Sequence, residues 1–169
     1  YDKIPVHTIT RGVKPFAIYD EWYCHMRFRE GMKGIVPILT AVPPDALHEG
    51  DDGPHSGNPA MRSRKGQPEH MSWVVERTGG GRGFGFSGGH KQWNWAQDDF
   101  RKLVLNAIVW LAGAEVPEGG VQTPRPDIKR LLLNFEKPVP TRINFERFDK
   151  MLNELNAPVI VTNQPAAVN

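Results

Sequence analysis

The sequence predicts an α/β domain built on a mixed sheet with a helix closing one face, and three observations predict it. From Arg82 to Gly113 the chain reads as a short alternating strand, then Gly88, Gly89 and His90, then an amphipathic helix. That order is how open α/β sheets build sites at the carboxyl ends of their strands. Before it, HMSWVVER and GRGFGFS alternate on either side of Gly79–Gly81, the pattern of an antiparallel hairpin. GIVPILTA, at 34–41, supplies a further strand.

Taken in order, residues 1–15 are an entry loop punctuated by Pro5, Gly12 and Pro15. From Phe16 to Tyr23 the alternation puts Phe16, Ile18, Asp20 and Trp22 on one face and Ala17, Tyr19, Glu21 and Tyr23 on the other, which predicts a strand. Its far end gathers polar and aromatic groups through His25 and Arg27. Neighbouring carboxylates on an extended chain point to opposite faces, so only one of Asp20 and Glu21 enters a given pocket. The plainer account is an edge strand with a solvated Asp–Glu and an ion pair to Arg27.

Pro37 places the strand at 34–41 on an edge or at a bulge. Residues 43–68 read as a long loop in which His48, Asp51, Asp52 and His55 match no established metal-ligand spacing. Arg62, Arg64 and Lys65 are too short a basic cluster to indicate nucleic acid. In the hairpin, Met71, Trp73 and Val75 face one way. Phe84 and Phe86 share a face of the last strand, which reads as buried.

The helix at 98–113 carries its core stripe on Phe100, Leu103, Val104, Ala107, Ile108 and Leu111. Asp98 is a candidate cap, Gly113 ends the helix, and Pro117 prevents its resumption. A Pro- and Gly-rich linker follows, then an apolar patch at 131–135. A short helix with Phe145, Phe148, Met151, Leu152 and Leu155 on one side belongs to a tail that packs back on the domain or on a neighbour.

Composition narrows the function. The 169 residues suffice for one domain, and 21 basic against 19 acidic residues give a net charge of +2, with no strong field for nucleic acid or a membrane surface. No apolar run reaches membrane-spanning length. The single Cys24 excludes an internal disulfide and any multi-cysteine metal site and leaves the compartment open. On its residues alone, His90 reads equally as a site histidine and as a surface histidine beside a tight turn.

The strings HTITRGVKPFAIYDEWY, HMSWVVER, GRGFGFSGGH, WNWAQDDFRKLVLNAIVWLAG and EVP, in this order over residues 5–117, resemble the ThuA-like (trehalose-utilisation) family. That family lies within the class I glutamine amidotransferase-like superfamily. The resemblance implies a partial flavodoxin-like sandwich: 1–117 as the second half of the domain, the first βα units absent, and 118–169 as linker and tail. Thr8 stands where the family motif has proline. The nucleophile turn of true amidotransferases is missing, and Cys24 lies in no glycine-flanked elbow, so glutamine amidotransfer is not implied and Cys24 reads as a small half-buried thiol.

By the same resemblance, His90 takes the place of a catalytic histidine. Acting as general acid/base with Glu21 as its carboxylate partner, it would serve a sugar-directed hydrolase or lyase. His7, Asp20, Tyr23, His25, Trp93 and Trp95 would line the sugar site, the tryptophans by stacking. The alternative is a non-catalytic binding or assembly module. No metal or cofactor is expected. The expected partners are a small sugar ligand and a companion, which would be the missing N-terminal half, another subunit, or a copy of the chain engaged through its tail.

Overall fold

The structure, a computed structural model, describes residues 1–53, 58–133 and 144–161. It divides into two compact units, one formed by Asp20–His90 and the other by Tyr1–Tyr19 with Lys91–Asn169.

In the unit Asp20–His90, β1 (Ile35–Ala41), the single-turn helix α1 (Pro59–Arg62), β2 (Glu69–Glu76) and β3 (Arg82–Phe86) follow in sequence. The sheet has the order β1-β2-β3, and both pairings are antiparallel. The expectation of a mixed sheet therefore fails among the described residues. A parallel pair needs a crossover connection, whereas β2 and β3 are joined by the glycine turn, where Arg77 N–H donates to Gly81 C=O at 2.9 Å. Pro37 sits on an edge strand, where a residue with no N–H to donate is tolerated, and the register shifts between Pro37 and Leu39 and again between Leu39 and Thr40.

β2 is the central strand, and Met71, Ser72 and Val74 are all buried. Trp73 and Val75 are only partly so, and the Phe28 ring meets Trp73 edge-on at 5.0 Å. Both faces of β2 are thus covered, where alternation indicated one. Ile38 and Leu39 complete the core from β1. β3, expected to be buried, is exposed at Arg82 and half-buried from Gly83 to Phe86 because it forms the other edge; Phe84 and Phe86 stack on its one face with ring centroids 5.8 Å apart.

The segment 16–23 is not a strand. Its side chains do alternate in burial as the sequence indicates, from buried Phe16 through exposed Tyr19 and buried Asp20 to exposed Glu21 and Tyr23. Alternation reports an extended backbone, however, and not a hydrogen-bonded neighbour. Here the backbone donors at Glu21 and His25 are taken by side-chain carboxylates instead of a ladder. The long loop likewise has local structure, with a 3₁₀ turn at Asp45–His48 and α1 capped by Asn58.

In the other unit, α2 spans Asp98–Leu111, α3 Ile128–Leu132 and α4 Phe145–Leu155. Its N-cap is Gln97, whose Oε1 accepts from Phe100 N–H at 2.6 Å, and not Asp98, which instead pairs with Arg101 and Arg125. Gly113, at φ 74°, takes the left-handed position that ends the helix. The buried face of α2 is Phe100, Leu103, Asn106, Ala107 and Trp110, so the expected stripe is rotated: Ile108 and Leu111 are 56% and 41% exposed. Full burial of an apolar side chain such as Phe100 or Leu103 is worth about 1.5–3 kcal/mol.

The described part of the tail belongs to this same unit. Leu131 and Leu152 bury against Ala96, with Trp93, Trp95 and Met151 packed alongside. Asn156 closes the arrangement, accepting from Asp98 N–H at 2.8 Å and donating to Ala96 C=O at 2.9 Å. Of the patch at 131–135, Asn134 and Phe135 lie outside the described residues.

Candidate functional site

β3 ends at Phe86, and the chain then turns through Gly88 and Gly89 to reach His90. Two constraints require glycine here. A Cβ on Gly88 would stand 2.6 Å from the Trp22 indole, and Gly89 has a φ of 96°, which side-chain-bearing residues rarely adopt. Trp22 also meets Phe86 edge-on at 5.7 Å, so the extended segment 20–25 is anchored beside the end of β3. With Trp22 turned inward, its neighbours Glu21 and Tyr23 face outward.

This arrangement brings Glu21 to His90: Oε2 lies 3.4 Å from Nε2, with the side chains 50% and 62% exposed. Even with the imidazole charged, a pair this open is worth about 0–1 kcal/mol and does not hold its own geometry. Asp20 is different, being only 8% exposed. Its Oδ2 accepts from Gly89 N–H at 2.6 Å and its Oδ1 from Glu21 N–H at 2.9 Å. Hydrogen bonds to a charged acceptor contribute about 1.5–3 kcal/mol each. The two carboxylates thus divide as an extended chain dictates, one inward to the backbone and one outward to the histidine. Neither makes the ion pair to Arg27 that the plainer reading proposed.

Further along the segment, His25 has a φ of 59°, uncommon for a non-glycine residue. Its N–H donates to Oε2 of buried Glu69 at 2.8 Å, and the other Glu69 oxygen pairs with Arg64. Sequence reasoning missed Glu69 and Arg64, because a Glu at the start of a strand carries no local sign that it will be buried against a neighbouring segment. Tyr23 is exposed at its side chain, while its carbonyl lies 3.4 Å from Ser87 Oγ.

Cys24 is half-buried, as expected, and its thiol pKa is raised, first by burial and then by the Glu69 charge. Such a thiol is protonated near neutrality and is a poor nucleophile. His70 is pushed below the usual histidine value by burial, and its Nδ1 lies 2.9 Å from Thr40 Oγ1.

The remaining predicted residues are side chains of the other unit, where each has a packing partner. The His7 ring accepts from Ile9 N–H at 3.2 Å and meets Trp110 edge-on. Trp95 packs on Phe100, and Trp93 lies under Lys91.

In the loop, His48 is fully buried with no hydrogen-bond partner among the described residues, Asp52 pairs with Arg62, and His55 lies outside those residues. The basic cluster is neutralised locally, since Lys65 pairs with Glu49 and Arg64 with Glu69. Among the described residues, no group of three or more His, Cys, Asp or Glu side chains is placed to hold a metal ion, and no helix is long and apolar enough to cross a membrane.

No curated protein and no solved structure shows significant similarity to the chain. The sequence profile of ThuA, described as trehalose utilisation, matches residues 2–111, which is most of the chain and includes Asp20, Glu21 and His90. That description sets the protein in carbohydrate metabolism. The chain belongs to the ThuA family.

Proposed function

We propose that this protein binds and acts on a sugar or sugar derivative at the outward face formed by Glu21, Tyr23 and His90, with His90 as general acid/base and Glu21 as its partner. The observation that carries the reading is the approach of Glu21 Oε2 to His90 Nε2 beside a glycine turn tied down by Asp20. An imidazole changes charge near neutrality, and a facing carboxylate stabilises the imidazolium formed when it takes a proton from a sugar hydroxyl. Tyr23 offers an exposed ring suited to a sugar face. Membership of a family described by trehalose utilisation supports a sugar as the substrate class.

The openness of the pair favours a second reading, in which the same face binds a sugar without transforming it. Chemistry usually needs a drier site than one with both groups half exposed or more.

Trehalose, and glucose as its unit, are the probes. Titration followed by NMR should show both binding near His90, and His90→Ala or Glu21→Gln should weaken that binding or abolish turnover. Binding and turnover unchanged in both variants would remove the pair from the function. Turnover absent in the parent, with binding lost in His90→Ala, would select the binding reading.

The finer fold reading belongs to the same proposal. It is a partial flavodoxin-like sandwich completed by a companion, supported by the outward Ile108 and Leu111 on α2 and by a sheet of only three strands among the described residues.

A further inference from the structure

We propose that Asp20 is a positioning residue that aligns the Glu21–His90 pair, its two carboxylate oxygens being divided between the two chain segments that carry the pair. Oδ1 accepts from the N–H of Glu21 itself and Oδ2 from the N–H of Gly89, the residue immediately before His90. A single buried side chain therefore fixes the backbone under one member and next to the other. The family resemblance implied a sugar-binding role for Asp20; with its carboxylate inward and shared between two amides, its influence on the site runs through the backbone.

Three features make the alignment depend on this side chain. The Glu21–His90 pair is too exposed to organise itself. The segment at 20–25 is not a strand and β3 stops at Phe86, so sheet pairing does not set the distance between the two segments. Gly89 also lies in the left-handed region, a conformation the unfolded chain visits among many others, and the short bond to Oδ2 selects it. Burial of the Asp20 side chain limits the water that can compete for these two part-buried bonds.

The inference rests on the reading of Glu21 and His90 as the working pair, and its test is read on the pair itself so that the two can fail separately. In the parent protein, Glu21→Gln should shift the imidazole 15N resonance of His90 Nε2, because its charged neighbour is gone. Asp20→Asn keeps the size but turns an NH2 group toward one of the two amides. In that background the same Glu21→Gln change should leave the His90 resonance where it was, while amide signals far from the turn match the parent.

A Glu21→Gln shift undiminished in the Asp20→Asn background would overturn the proposal. Should Asp20→Asn fail to fold, the parent alone decides. Its Gly89 amide proton should resonate well downfield and exchange slowly, and a free-amide shift with fast exchange would overturn the inference. Loss of coupling alongside undisturbed trehalose binding would sink the pair as the sugar site and leave the positioning role of Asp20 standing.

Discussion

Asn106→Ala should be among the most damaging single changes in the unit that holds α2. Asn106 is fully buried, yet its amide is satisfied: Nδ2 donates to Ile9 C=O at 2.9 Å and to Arg11 C=O at 3.0 Å, and Oδ1 accepts from Val121 N–H at 2.8 Å. One side chain thereby ties the helix to the chain before the site segment and to the loop after Pro117. Removing it orphans three backbone groups. The bond to Ile9 is buried, so its loss costs about 1–3 kcal/mol, while the two part-buried bonds, which water can partly replace, cost about 0.5–1.5 kcal/mol each. The expected destabilisation is about 2–6 kcal/mol, and for a chain of this size it lowers the melting temperature by roughly 5–20 °C. Asn106→Asp should be no milder, because it sets a carboxylate against two carbonyl oxygens. Calorimetry or thermal unfolding followed by circular dichroism measures both variants. A melting temperature for Asn106→Ala within about 2 °C of the parent would refute the reasoning.

Two further outcomes follow from the structure. The His70 pKa is lowered in the fold, so the folded state binds fewer protons there than the unfolded chain. The stability it contributes is full above the ordinary value of 6.5 and is lost as pH falls through the lowered one; His70→Gln should flatten this limb in denaturant titrations between pH 7 and 4.5, and an unchanged limb would remove His70 as its cause. Light scattering on the 169-residue chain should show association, if outward Ile108 and Leu111 belong to an interface; a stable, cooperatively unfolding monomer would refute the companion.

Where local chemistry decides, the sequence was legible. Glycine-punctuated β2 and β3 pair as their alternation indicates, Pro37 marks a register slip on an edge strand, and Gly113 ends α2. The face of α2 was not legible from periodicity, because Val104, Ile108 and Leu111 recur at helical spacing just as Phe100, Leu103, Ala107 and Trp110 do. Two apolar stripes compete, and a buried Asn decides between them through bonds to residues nearly a hundred positions away. No window along the sequence contains that information.

The site shows the same division from the other side. Alternation across Asp20, Glu21, Trp22 and Tyr23 fixed which side chains share a face, and that alone put one carboxylate inward and the other out. It could not say that the inward carboxylate would take the place of a strand partner. An unpaired extended segment must satisfy its amides somewhere. Asp20 satisfies the N–H of Glu21 and Glu69 that of His25, so of the two carboxylates that looked like a solvated edge, Asp20 serves the backbone instead. Glu21 is left as the carboxylate free to face His90 because Asp20 has been spent on the turn that presents it.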